Sequence, residues 1–359
     1  MRIFDTFPFD GELDLLRFRL EERFEDIDAF VLVEAGETYR GAPKPLTYDA
    51  ARGRFAWASG KIRHVKVPRL GGPETSPRER AARQRNAIRA ALRDADPEDV
   101  VLLLDVDEIP SASLIARLRR EGAAVPRRLR MTRHFGFADL VAPRSPCCPT
   151  GIEPFPAATR RIRPGAWTQL SPAWHSHSGV AAAVRDLRSR SAFELRFGTP
   201  LDEPLPDAGR HFTSVDPAAR LERKLGRVFH DELDGRRERS PLHLARCRAH
   251  GVHHRGWWYA ERPSGALPPD VARLVQNVPT MAAPPLPPAL ARRLVRSWAW
   301  LRLWRALPDG LVASVDRRFE RLRPLLAPPL LLLDAGRACL AAGMRAAGLA
   351  VPPRNAGRH

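Results

Sequence analysis

Short apolar runs alternate with helix-spaced stretches through the first third of the chain. "RIFDTF" (2–7) reads as a strand, and "ELDLLRFRLEERF" (12–24) places Leu13, Leu16, Leu20 and Phe24 at helical spacing. "DAFVLVEA" (28–35) is an apolar run rich in β-formers, as in a buried strand. "KIRHVKV" (61–67) alternates, which predicts a strand with one wet face. In "SPRERAARQRNAIRAALRDAD" (76–96), Ser76 as N-cap, Pro77 at the first helical position and Glu79 at N3 form a capping box. Ile88, Ala91, Leu92 and Ala95 then give that helix an apolar stripe. "DPEDVVLLLD" (96–105) predicts the next strand. "SASLIARLRREG" (111–122) predicts the next helix, capped by Ser111 or Ser113 and ended by Gly122. This β-α-β order predicts an α/β fold whose mostly parallel sheet is flanked by helices.

Beyond residue 141 the pattern is less regular and rich in Pro and Arg, read as strands and loops up to about residue 206. "PAARLERKLGRVFHDEL" (217–233) is a helix with Leu221, Leu225, Val228 and Phe229 on one face. "PTMAAPPLPP" (279–288) is the strongest linker signal. It divides a domain at 1–278 from a basic helical tail at 289–359. In the tail, Leu290, Leu294, Trp298 and Leu301 form a stripe flanked by Arg292, Arg293, Arg296 and Arg302, with Trp300 and Trp304 nearby. That pattern suits an interfacial helix on anionic lipid, or equally a helix packed on the rest of the protein.

Net charge is +18 over 359 residues, and lysine occurs only at Lys44, Lys61, Lys66 and Lys224. An arginine skew of this kind is weak support for nucleic-acid binding, but it favours anionic partners such as nucleotide phosphates or acidic lipids. The stretch 281–359 holds 13 Arg and 4 acidic residues, so it carries half of that charge. Cys147, Cys148, Cys247 and Cys339 form no CxxC pair, which disfavours a zinc ribbon or a disulfide scaffold and fits a reducing compartment. The first residues lack an apolar stretch of signal-peptide length, and no run of about 18 uncharged apolar residues occurs. A cytoplasmic protein, peripheral at most to the inner face of a membrane, is expected.

The candidate chemistry lies in "VVLLLDVDEIP" (100–110), where an apolar strand leads straight into Asp105, Asp107 and Glu108. In open α/β sheets ligands bind at the carboxyl ends of strands. Side chains two apart on an extended chain point the same way, so Asp105 and Asp107 share one target while Val106 faces the core. Two close carboxylates repel, and a divalent cation such as Mg²⁺ or Mn²⁺ relieves the repulsion. The competing explanation is acids placed before a helix N-terminus by its dipole.

"VVLLLDVDEIP" with "QRNAI" upstream closely resembles glycosyltransferase family 17. "IFDTFPFDGELDLLRFRL", "FVLVEAGETYRGAPKPL", "KIRHVKV", "RHF" (210–212) and "KLGRVFHDE" (224–232) follow in the family's order. The resemblance covers residues 1–122 well and 210–277 loosely. It implies a GT-A fold, a sugar-nucleotide donor such as UDP-GlcNAc, inversion at the anomeric carbon and a metal bound by the DxD pair. On that reading Asp105, Asp107 and His211 hold the metal. Glu34, Thr38, Lys44, Arg85 and Asn86 line the donor pocket, with Lys44 on phosphate. Glu108 or Glu232 takes the acceptor proton, with Asp139 and Glu194 as other acids in plausible regions. His230 matches the family alongside Glu232, whereas His250, His253 and His254 read as structural. The acceptor is a glycan or a lipid-linked sugar. The family places an aromatic and glycines after its His-Phe pair, and "HFTSVDPA" lacks them.

Two readings from other classes compete. A nucleic-acid-binding protein predicts basic and aromatic residues along an acid-poor groove, which the acidic cluster opposes. A DxD phosphohydrolase usually carries a hydroxyl two residues after the second Asp, where this chain has Ile109.

Overall fold

The computed structural model describes residues 1–141, 175–197, 204–215 and 266–285, with residues 245, 247–251, 260 and 262. In chain order these form β1 (Ile3–Phe9), α1 (Leu13–Arg23), β2 (Ala29–Ala35), α2 (Thr47–Ala51), β3 (Ile62–Val67), α3 (Pro77–Asn86), β4 (Val100–Leu103), β5 (Glu108–Pro110), α4 (Ala112–Glu121), β6 (Arg127–Phe135) and β7 (Phe137–Val141). There follow β8 (His175–Ala183), α5 (Asp186–Ser189), α6 (Ala192–Phe197), β9 (Gly209–Thr213) and α7 (Pro269–Asn277). The expected helix at 217–233, the tail at 289–359, His230, Glu232, His253 and His254 lie outside the described residues.

One sheet joins the strands in the order β3-β2-β1-β4-β8-β6-β9-β5, with β7 on β6. β3, β2, β1 and β4 run parallel. β8 is antiparallel to both of its neighbours, so β6 and β9 resume the direction of the first four. This mixed, mostly parallel sheet with flanking helices is the α/β layering that the order of strands and helices predicts.

The strand sequences sort by twos. Ile3, Phe7, Phe30, Leu32, Val100 and Leu102 pack on one face with Leu16 and Leu20 of α1 and Leu114 and Leu118 of α4. Phe4, Val31, Val33, Val101 and Leu103 pack on the other, with Ile88, Leu92, Leu187 and Leu195. Burial on both faces is why β2 and β4 read as continuous apolar runs rather than as alternation. Helix α1 is covered on a second side, because Leu15 and Phe18 join Phe212 of β9 and Val271 and Leu274 of α7.

Four local expectations change. The helix predicted over 76–96 keeps its capping box, yet α3 ends at Asn86 and continues as a 3-10 turn over Ala87–Leu92. The strand predicted to reach Asp105 stops at Leu103. Asp105 and Asp107 then lie in a tight turn closed by the Glu108 amide, which donates to the Asp105 carbonyl at 3.0 Å. Glu108 does not begin the next helix: it opens β5, paired antiparallel to β9, and Ser111 caps α4. The Pro-rich segment at 279–288 begins with a 3-10 turn, Pro279–Met281, whose Met281 is fully buried against the α7 cluster.

Candidate active site

Parallel strands deliver their carboxyl ends to one edge of the sheet. Asp10 follows β1 there, a loop from Gly36 to Lys44 follows β2, and the acidic turn follows β4. Glu12 stabilises the first loop by accepting from the Asp10 amide at 3.0 Å.

The acidic turn is held by arginines from two other elements. Arg85 at the end of α3 donates to the Leu104 carbonyl at 2.9 Å and pairs with Asp105 Oδ1. Arg196 on α6 donates to Asp105 Oδ2 at 3.1 Å and to Glu108 Oε1 at 2.7 Å. Desolvation opposes ionisation of Asp105, but Arg85 and then Arg196 outweigh it and hold its carboxyl well below the usual range. Burial also works against the charge of Arg196, and Glu108 and Asp105 more than offset it. Glu108 is fully buried; its other oxygen accepts from the Asp105 amide at 2.9 Å. Both of its oxygens are thus engaged in holding the turn.

His211 stands opposite Glu108 in the β5–β9 register. Its Nε2 is 3.8 Å from Asp107 Oδ1 and its Nδ1 is 3.9 Å from Glu108 Oε1. The structure therefore brings Asp105, Asp107, Glu108, Arg85 and His211 together. Among the described residues no three His, Cys, Asp or Glu side chains converge as a ready-made metal cage. Two donors on one Mg²⁺-like ion at about 2.1 Å lie about 3.0 Å apart as neighbours and about 4.2 Å apart across it, so the 3.8 Å between Asp107 and His211 needs only a small adjustment to share a cation. One carboxylate and one imidazole suit an ion that draws its other ligands from a diphosphate.

Other expected residues point to local tasks. Glu34, fully buried at the end of β2, accepts from the Tyr48 amide at 3.1 Å, in the first turn of α2, and lies 3.2 Å from His64 Nε2. The Thr38 hydroxyl accepts from the Ala42 amide at 3.2 Å, closing a turn in which Gly41 has φ +82°. Asn86 Oδ1 accepts from the Phe193 amide at 2.9 Å and so ties α3 to α6. Lys44 Nζ lies 2.8 Å from Asp10 Oδ1, linking the loops after β1 and β2 beside the acidic turn. Glu194 caps α6 through Ser191, and Asp139 pairs with Arg262 and accepts from the Ala283 amide, so neither acid is spent at the turn.

Sequence reasoning missed Arg196 and Tyr39. The "SAFE" capping box at 191–194 announces the helix that carries Arg196, but nothing local announces its partners. The Tyr39 phenol is pushed up by burial, and the charges acting on it are Arg85, Asp105, Asp10 and Glu12. It thus belongs to the same edge.

The family model described as Glycosyltransferase family 17 matches residues 1–136. The β-1,4-mannosyl-glycoprotein 4-β-N-acetylglucosaminyltransferases of Rattus norvegicus and Homo sapiens are each 29% identical over 118 residues, 31% of this chain and 22% of theirs. The chain thus aligns with about a fifth of the length of these curated relatives. A crystal structure of glucosyl-3-phosphoglycerate synthase from Mycobacterium tuberculosis with phosphoglyceric acid is similar at 14% identity and a TM-score of 0.33, covering 69% of this chain and 79% of that one. The match to the glycosyltransferase family 17 model thus falls on the stretch that carries β1 to β6 and the acidic turn.

Proposed function

We propose that the protein is an inverting, metal-dependent glycosyltransferase that moves a sugar, GlcNAc from UDP-GlcNAc, onto a glycan or lipid-linked acceptor. The observation that carries this reading is the convergence of Asp107 and His211 beside Arg85 and Arg196 at the end of β4, of which Asp107 and Arg85 lie in the segment the family model matches. Asp107 and His211 would hold a divalent cation, which supplies Lewis-acid stabilisation of the departing diphosphate. Arg85, Arg196 and Lys44 supply fixed positive charge to an anionic donor, and guanidinium forks match phosphate oxygens in pairs. Asp105 orients the two guanidiniums for the donor. Of the two acids expected to accept the proton, Glu108 is sealed in the turn, so Glu232 is the residue to substitute first.

Calorimetric titration of UDP and UDP-GlcNAc, with and without Mn²⁺, tests the reading. Mn²⁺ should strengthen donor binding, and Asp107→Asn or His211→Ala should weaken the Mn²⁺-dependent binding about tenfold or more, roughly 1.4 kcal/mol. Binding that ignores both Mn²⁺ and these substitutions would refute it. Glu232→Gln should abolish transfer while leaving UDP affinity unchanged.

In the same reading the basic segment 289–359 attaches the enzyme to anionic lipid on the cytoplasmic face of a membrane. Its support is the arginine-flanked stripe of Leu290, Leu294, Trp298 and Leu301, with Trp300 and Trp304 nearby. Among the described residues no helix is long and apolar enough to cross a membrane. Flotation with phosphatidylserine vesicles, but not with phosphatidylcholine ones, is the expected result; equal recovery with both would exclude it.

A further inference from the structure

A buried ion pair lies directly beneath the acidic turn. Asp5 in the middle of β1 and Arg19 on α1 are both 0% exposed. Arg19 grips the carboxylate with a fork, Nε on Oδ2 at 2.7 Å and Nη2 on Oδ1 at 2.5 Å. Its remaining nitrogen, Nη1, donates to the carbonyls of Asp105 at 2.8 Å and Val106 at 3.1 Å. The guanidinium also lies 4.3 Å from the Phe7 ring centroid, so its flat face is packed as well.

Burying two charges costs several kcal/mol per ion before their attraction is counted, and apolar residues of similar size often serve stability as well or better. Stability alone is therefore a weak reason for this pair. What an apolar pair lacks is a donor for the two carbonyls of the turn. Peptide planarity makes a carbonyl direction fix the whole unit that joins successive Cα atoms. Anchoring the carbonyls of 105 and 106 thus sets the directions in which Asp105 and Asp107 leave the backbone. The other anchors of the turn agree: the Phe212 amide donates to the Asp107 carbonyl at 2.8 Å, and the Glu108 side chain accepts from the Asp105 amide.

We propose that Asp5 and Arg19 are positioning residues of the donor site, which hold the acidic turn in its binding geometry before donor and cation arrive. The proposal rests on the donor-site reading above. Without the pin, each binding event has to order the turn, and affinity falls by that cost.

The test uses the full chain. In the donor-free protein, the amides of Asp105 and Glu108 should exchange with solvent on the order of a hundredfold more slowly than an open loop, close to the amides of β4. Loop-like exchange there overturns the proposal, whatever the variants do. The double variant Asp5→Leu with Arg19→Met removes both charges together, which keeps the core apolar. It should unfold near the wild-type midpoint, exchange faster at Asp105 and Glu108, and bind UDP in the presence of Mn²⁺ about tenfold or more weakly. A folded double variant with wild-type UDP affinity and turn exchange shows the pair to be structural only and overturns the proposal. If the wild type itself binds no UDP with Mn²⁺ present, the donor-site reading fails, and the exchange result still tells whether the turn is pinned. Arg19→Lys keeps the charge opposite Asp5 without the planar fork, and it should recover UDP affinity only in part. Full recovery argues that charge, not carbonyl anchoring, is what the turn requires, and it too overturns the proposal.

Discussion

His134 shows what burial does to a single titrating group in this protein. It is 2% exposed, its Nδ1 lies 2.6 Å from the Ala138 carbonyl, and its ring stacks on Phe212. That contact requires Nδ1 to carry the proton, which leaves Nε2 as an acceptor facing Arg210. Burial, then the charge of Arg210, lowers its pKa from 6.5 to about 3. The unfolded chain binds a proton at this residue near pH 6.5 and the folded one only near pH 3. Its contribution to stability is therefore complete above pH 6.5 and is lost as pH falls towards 3, with a slope of up to about 1.4 kcal/mol per pH unit. Urea unfolding between pH 7 and 4 should show that slope, and His134→Asn, which keeps a donor for Ala138, should flatten it. Arg196 presents the opposite hazard. Arg196→Met leaves Glu108 buried beside Asp105 without its guanidinium, and should cost about 3–5 kcal/mol in urea unfolding.

At the scale of elements, two short devices set the geometry of the site. Strand β5 pairs with β9 so that Glu108 faces His211, and this register depends on Gly209. Gly209 has φ +138°, and a Cβ there would stand 2.0 Å from the Ile109 carbonyl oxygen. Gly209→Ala should therefore break the pairing and weaken Mn²⁺-dependent UDP binding, as calorimetry would show. Gly53→Ala, where nothing lies within 4 Å, should stay within about 0.5 kcal/mol of wild type. The capping box of α3 is legible in the sequence and present in the structure, with the Glu79 amide donating to Ser76 Oγ at 3.2 Å and the Glu79 carboxylate accepting in return. Ser76→Ala should cost about 1 kcal/mol in thermal unfolding. Arg85, at the far end of the same helix, should lose part of its orientation with it.

At the scale of the molecule, a C-terminal element is built into the N-terminal core. Val271 and Leu274 of α7 pack with Leu15 and Phe18 of α1 and Phe212 of β9, and Arg210 donates two hydrogen bonds to the two carboxylate oxygens of Asp270. One cluster spanning these three elements predicts one cooperative unfolding unit. Leu274→Ala should cost about 2–5 kcal/mol, and far-UV circular dichroism and tryptophan fluorescence should still report the same midpoint. The sequence by itself determined the elements whose signals are local: the apolar runs of β1, β2 and β4, the helical spacing of α1, the caps at Ser76 and Ser111, and the acids at a strand end. Tertiary structure alone decided how those acids are used. Arg196 meets Asp105 across 91 residues because β8 and α6 return beside β4. Asp5 and Arg19 look like a strand acid and a helix base until α1 lies over β1 and points one at the other. Glu34, expected in the donor pocket, turns instead to the first turn of α2. Hydrophobic periodicity records which face of an element is covered, because burial acts residue by residue. A charge records nothing of its partner, because the partner is supplied by the order in which the strands assemble.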